Sequence, residues 1–288
     1  MGYSSRMLFW LKASRPGLWF PTIWLYGLPL SGMHLLESPS FWAGLLFVSF
    51  PLNLLTYGWN DLVDVETDAL NPRKDSYLFG ARGTPEQLAR LPWAMAAITA
   101  AGFAPVVALG GLRMLALLGA IVGVIALYNL PKNGLRGRPP LELLCQAGYL
   151  LVIPMSAWLN SAPLPAVPTW LYLCLFCVQS QLIGEVMDID PDRAAGRKST
   201  ATKLGTRRTK MLIIATVAAE VALLLLVYEA LIFGGLLTLF LLWLLLDLTV
   251  LFGEQRYTLG QMKLFGVTSN LVALTSMLYV WWSGCLLL

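Results

Sequence analysis

Apolar runs alternate with polar breaks along the whole chain, and nine of the runs are long enough to cross a bilayer as helices. They cover residues 16–34, 41–59, 92–111, 112–129, 141–159, 169–187, 211–228, 230–252 and 265–286. A spanning helix needs about 20 mostly apolar residues at roughly 1.5 Å rise each, and these segments meet that length. Three loops, 60–91, 130–140 and 188–210, carry most of the polar sequence. The other breaks, at 36–40, 110–111 and 160–168, are short. The expected fold is therefore all-α: a polytopic helical bundle of about nine transmembrane helices, with residues 1–288 forming a single integral-membrane domain.

The placement of charge gives this bundle a direction. Three basic residues precede the first run, four lie in loop 60–91, three in 130–140, seven between the sixth and seventh runs and two between the last pair. Nineteen of the twenty Lys and Arg thus fall on one face, leaving Arg113 opposite. The positive-inside rule puts that face and the N-terminus in the cytoplasm and the C-terminus on the other side. The first run lacks a small-residue cleavage site and is expected to remain as a span, not to be removed as a signal peptide.

Composition agrees. Apolar residues make up 57% of the chain and charged residues 12%, half the share of about 25% usual in soluble domains. Mean hydropathy is +0.68. A nucleic-acid partner is not expected, and no obligate protein partner is implied; membrane lipid is the expected surrounding. Cys174 and Cys177 copy a metal or redox spacing, but no second pair exists and the single histidine, His34, is remote, so they read as buried small hydrophobes.

Half of the sixteen acids lie in two clusters: Asp61, Asp64, Glu66 and Asp68, then Glu185, Asp188, Asp190 and Asp192. Both fall at the basic face, each at the end of an even-numbered run, and each is followed by basic residues. Acids at a membrane edge are costly and point to function. On a helix Asn60, Asp64 and Asp68 recur at i, i+4 and i+8, and Glu185, Asp188 and Asp192 at i, i+3 and i+7, so each set shares a face. Like charges at that spacing repel unless a cation converts the repulsion into ligation. An all-oxygen set suits Mg²⁺, which takes carboxylate ligands and shares them with phosphate. The candidate metal ligands are Asn60, Asp61, Asp64, Asp68, Glu185, Asp188 and Asp192, and Arg73, Lys74, Arg197 and Lys198 are placed to neutralise a diphosphate between the clusters. The plainer reading, solvated helix ends of mixed charge, suits one such cluster better than two on the same face. Pro191 is expected to kink or end the second motif's helix.

Asn60-Asp61-x-x-Asp64-x-x-x-Asp68 with Asp188-x-x-x-Asp192-x-x-x-Gly196 resembles the UbiA superfamily of intramembrane prenyltransferases. Arg15-Pro16, Tyr128 followed by Pro131, and the run from Lys198 to Gly205 extend the likeness over nearly the whole chain. The resemblance implies a bundle around a central, membrane-embedded cavity with cytoplasmic cap loops. It implies Mg²⁺-dependent transfer of a prenyl group from an isoprenyl diphosphate to a lipophilic acceptor. Asn60, Asp64 and Asp68 would hold one Mg²⁺ and the diphosphate, and Asp188 and Asp192 the other. Arg73, Lys74 and Lys198 would hold phosphate oxygens, and Tyr128 would face the allylic cation. Asp64, Asp68, Asp188, Asp192 and Tyr128 are thus the expected catalytic residues.

Family base rates favour an aromatic, quinone-type acceptor. The loops 71–80 and 190–197 instead lean toward members similar to lycopene elongases, with a carotenoid acceptor. An aromatic acid would need a polar anchor within the spans, where Gln146, Asn160, Gln179, Gln181 and Asn270 are the main candidates. A transporter is the rival of another class, since internal echo and membrane acids also suit one. Against it, the acids gather at one face and not at the midplane. The Asp-Gly-x-x-Ala-Arg signature of CDP-alcohol phosphotransferases is missing. Asp247, inside the eighth run, has no basic partner nearby in sequence.

Overall fold

The computed structural model describes residues 3–130 and 134–287. Pro131 and Lys132 therefore lie outside the described residues. Among those described the chain is all-helical. A short N-terminal helix α1 (Tyr3–Ala13) leads to α2 (Phe20–Gly27), then α3 (Pro39–Val63), the single turn and a half α4 (Val65–Leu70), α5 (Pro85–Gly110) and α6 (Arg113–Asn129). Next come α7 (Leu141–Gln146), a 3₁₀ segment (Ala147–Leu151) and α8 (Val152–Leu159), which stack end to end. They are followed by α9 (Val167–Ala194), α10 (Thr200–Leu204), α11 (Thr206–Leu226), α12 (Leu231–Leu246) with a π-turn (Asp247–Leu251), and α13 (Leu259–Ser283).

All nine expected segments are helical, and seven among the described residues are long and apolar enough to cross a membrane. The other two are shorter for physical reasons. In segment 16–34, Pro16, Pro21 and Pro29 each lack an N–H donor, and the chain divides into 3₁₀ turns at Pro16–Leu18 and Leu28–Leu30 on either side of α2. α6 is a single helix of 17 residues. Helix starts follow local chemistry: Thr84 with Gln87 and Thr258 with Gln261 form reciprocal capping boxes that open α5 and α13.

The core is a continuous apolar layer joining α2, α3, α5, α6, α8 and α9. Phe47 of α3 meets Phe103 of α5 edge-on at 4.7 Å between ring centres. Tyr26 lies in the slot left by Gly44, where any side chain would collide with its ring. Its hydroxyl donates to the Phe41 carbonyl at 2.9 Å and accepts from Asn160 at 3.0 Å, so the buried phenol is satisfied. These contacts fix α3 relative to α8 at the end of the bundle away from the acids, where Arg113 also donates to the Trp158 carbonyl.

At the opposite end several separate loops meet. Leu78, in the segment after α4, wedges between Gly17 and Gly266, and neither glycine position has room for a side chain. The Gly17 N–H donates to the Tyr77 carbonyl at 3.1 Å. The segment 71–84 is thereby folded back over the end of α3 and pinned to α13 as well. Asp247 has its partner here after all: Lys210 reaches it at 2.6 Å and the Tyr257 hydroxyl donates to it at 2.7 Å. Both charged side chains are buried, so this is a closed ion pair joining α11 to the end of α12.

Candidate active site

The two acidic motifs face each other across this end of the bundle. α3 carries Asn60 and Asp61 on its last turn and breaks at Asp64, yet the Asp68 N–H still bonds to the Asp64 carbonyl at 2.7 Å. The helical spacing of Asn60, Asp64 and Asp68 thus survives the break. On α9, Pro191 does not end the helix, which runs on to Ala194 before the backbone turns at Gly196 with φ 68°. Asp188 and Asp192 therefore stay one turn apart, with Asp192 buried and Asp188 half-buried.

Arg197 joins the motifs. Its Nη1 lies 3.5 Å from Asp64 and 3.7 Å from Asp192. Arg73 pairs with Asp188, which also accepts from Asn71 at 2.8 Å. Lys74 bridges Asp61 at 2.7 Å and Asp68 at 2.6 Å. Two cations that motif spacing did not single out complete the web. Arg136, from the loop after α6, reaches Asp64 at 2.6 Å, and Arg15, from before α2, reaches Asp61 at 2.7 Å. Five carboxylates (Asp61, Asp64, Asp68, Asp188, Asp192) are matched by five cations (Arg15, Arg73, Lys74, Arg136, Arg197). Burial pushes the Asp68 carboxyl up to about 6; Lys74 opposes that shift, while Asp61 and Asp64 add to it.

Two expected ligands are already engaged by the protein. Asp61 accepts from Arg15 and Lys74 on one oxygen and from the Ala81 N–H on the other, so it fastens the overlying segment to α3. Glu185 accepts from Gln181 at 2.9 Å and from the Ala201 N–H at 3.0 Å, tying α9 to α10 beside Glu142, which takes both donors of Thr200. Lys198 is exposed and pairs with no acid among the described residues. Three half-buried tyrosines adjoin the charges: Tyr128 beside Gln181, and Tyr57 beside Tyr149. Arg15 lies over the Tyr57 ring at 4.7 Å.

The fit to Mg²⁺ and a diphosphate can be read from what the web leaves unsatisfied. Asn60 Oδ1, Asp64 Oδ1 and Asp68 Oδ2 are buried without a hydrogen-bond donor. Arg15 Nε, Arg73 Nε, Arg136 Nη1 and Arg197 Nε are buried without an acceptor. The Asp64–Arg136 and Asp68–Lys74 contacts are close enough for ion pairs but badly aligned for hydrogen bonds. Oxygens lacking donors suit a hard cation, and guanidinium groups lacking acceptors suit phosphate oxygens. No three carboxylates converge on one point among the described residues, because cations stand between them. The residues fit the pair of ligands together better than either alone.

Among the described residues the chain is thus an all-helical bundle of apolar helices with two facing acidic motifs and their matching cations at one end. Residues 18–265 match the UbiA prenyltransferase family. The chain belongs to that family and is a prenyltransferase. A lycopene elongase/hydratase of Corynebacterium glutamicum is 32% identical, over 68% of this chain and 69% of that protein. One from Halobacterium salinarum is 31% identical, over 80% and 84%. In fold the chain is similar to a UbiA homologue from Archaeoglobus fulgidus whose structure was solved bound to DMAPP and Mg²⁺. The TM-score is 0.70 at 18% identity, covering 94% of this chain and 97% of that one. Membership in an enzyme family removes the transporter alternative.

Proposed function

We propose that this enzyme transfers a prenyl group from an isoprenyl diphosphate to the end of a carotenoid of the lycopene type. The observation that carries the acceptor assignment is the state of the polar side chains within the spans. Asn160 is held by Tyr26 and Ser40, Gln179 by Glu220, Gln181 by Glu185, and Asn270 by the Gly266 carbonyl. Only Gln146 of the five candidate anchors has no such bond among the described residues. An aromatic acid would find one of these five, Gln146, free to meet its carboxylate, and a buried carboxylate short of donors costs several kcal/mol. A hydrocarbon acceptor needs none. The names of the relatives support the same choice over the aromatic, quinone-type precursor that family base rates favour.

In this reading Asn60, Asp64, Asp68, Asp188 and Asp192 hold Mg²⁺, and Arg73, Lys74, Arg197 and Lys198 hold the diphosphate. Bound Mg²⁺ would neutralise the negative charge that grows on the leaving diphosphate. The allylic C–O bond breaks and its electrons leave with the diphosphate, whose oxygens the arginine and lysine N–H groups stabilise. Tyr128, Tyr57 and Tyr149 exclude water and present ring faces to the allylic cation. A terminal double bond of the acceptor attacks, forming the new C–C bond, and the resulting tertiary cation loses a proton. The positive-inside rule places this end of the bundle and the N-terminus in the cytoplasm and the C-terminus opposite. The test is an acceptor screen with purified enzyme, labelled dimethylallyl diphosphate and Mg²⁺. Lycopene should be alkylated while 4-hydroxybenzoate, dihydroxynaphthoate and homogentisate are not; the reverse outcome would restore the aromatic reading.

A further inference from the structure

The loop after α6 contributes a cation, Arg136, that lies on neither acidic motif. It sits on the 3₁₀ turn Leu135–Gly137 and extends over the break between α3 and α4. Its Nη1 is 2.6 Å from Asp64 Oδ1, while its Nη2 donates to the Val63 carbonyl at 3.3 Å. Asp64 thus carries an arginine on each oxygen, Arg136 on Oδ1 and Arg197 on Oδ2. Nη1 is buried and its ion pair lacks hydrogen-bond alignment, so its N–H groups are left without an acceptor. A guanidinium whose Nη1 is held to Asp64 by charge alone is poised to exchange that partner. The carbonyl of Val63 can retain Nη2 while Nη1 turns to another oxygen.

Resting on the reading of this site as a Mg²⁺-diphosphate site, we infer that Arg136 is an exchange cation for the prenyl transfer. It occupies Asp64 in the empty enzyme and passes to a diphosphate oxygen when metal takes Asp64. Arg136 then does two opposed things. It competes with metal for Asp64, and it strengthens the hold on diphosphate once metal is present. A residue that merely tied the loop to α3 would do neither.

The opposed signs make the test. Mn²⁺ binding without diphosphate is followed by electron paramagnetic resonance, and Mg²⁺-pyrophosphate binding by calorimetry, on wild type, Arg136→Gln and Arg136→Lys in detergent. Arg136→Gln should bind Mn²⁺ alone at least threefold more tightly and Mg²⁺-pyrophosphate at least tenfold more weakly. Arg136→Lys should recover part of the pyrophosphate affinity, and it carries the test if the glutamine variant does not fold. The acceptor KM should stay unchanged. Affinities that move in the same direction, or a lowered melting temperature with both affinities unchanged, would overturn the assignment. If wild type itself binds no Mg²⁺-pyrophosphate, the reading of the site fails and Arg136 with it. If wild type binds and Arg136→Gln binds equally well, only the role of Arg136 fails.

Discussion

Replacing Asp64 by Asn separates a web of matched charges from a cluster of mutually repelling acids. If the acids mainly repelled, losing one would leave stability unchanged or raise it. The structure argues the opposite, because Asp64 neutralises Arg136 at 2.6 Å and Arg197 at 3.5 Å while itself buried. At an effective dielectric of about 20, those contacts have gross Coulomb energies of about 6 and about 5 kcal/mol, much of which desolvation cancels. Breaking a buried pair by removing one partner costs about 3–5 kcal/mol. The two arginine side chains retain 16% and 19% exposure, so water compensates part of that loss. A net cost of about 2–3 kcal/mol is expected, a fall of about 4–10 °C in the unfolding midpoint of a chain this size. Turnover should drop below about a tenth, more than about 1.4 kcal/mol in barrier, since Asp64 is also an expected metal ligand. The assay is thermal unfolding of the purified protein in Mg²⁺-free detergent beside a prenyl-transfer assay with Mg²⁺. A midpoint unchanged or raised would refute the charge-web argument, and turnover above about a tenth would refute the ligand role.

Other consequences follow from single contacts. Lys74→Met removes the bridge between Asp61 and Asp68 and should raise the KM for prenyl diphosphate about tenfold, about 1.4 kcal/mol, with little change in the acceptor KM. Equal losses for both substrates would contradict its assignment to diphosphate. Asp68 sits at about 6 in the metal-free fold, above an unfolded value of about 3.9, so its stabilising contribution is full below about pH 4 and lost as the pH rises through about 6. Mg²⁺ needs the ionised carboxylate, so Mg²⁺ affinity should fall up to tenfold per unit below about pH 6; a flat calorimetric profile from pH 5 to 7.5 would count against Asp68 as a ligand. Glu142→Ala should lower the unfolding midpoint by several degrees, because Thr200 loses the acceptor of two 2.6 Å hydrogen bonds. Lowered prenyl transfer without a lowered midpoint would instead put Glu142 in the chemistry.

The helical segments and both acidic motifs were legible in sequence because each is a local signal. Bilayer thickness fixes the length of the apolar runs, and helical spacing aligns Asn60, Asp64 and Asp68. The prolines that divide the first span were visible too, though not how far they would shorten α2. What remained hidden depends on long-range pairing. Arg136 counts in sequence only among the basic residues of its face and Arg15 otherwise only in the Arg15-Pro16 likeness, since nothing near either in sequence indicates that it reaches Asp61 or Asp64. Asp247 lacked a partner only because Lys210 lies on the preceding helix. Glu185 resembled a ligand by spacing, but its carboxylate is taken by the Ala201 N–H, a backbone group that sequence spacing cannot place. Pro191 stands within the last turn of α9 and removes the one N–H that would bond to the Met187 carbonyl, yet the helix continues to Ala194.

The central claim is that the two motifs form one site whose cations pass from carboxylates to diphosphate when Mg²⁺ enters. The most direct measurement is an experimental structure with Mg²⁺ and a non-hydrolysable prenyl thiodiphosphate. The account predicts oxygens of Asp64 and of Asp192 at about 2.1 Å from Mg²⁺, with Arg136 and Arg197 turned from Asp64 to the diphosphate. A structure with ligand bound in which both arginines still pair with Asp64, or in which the diphosphate lies away from α3 and α9, would contradict it.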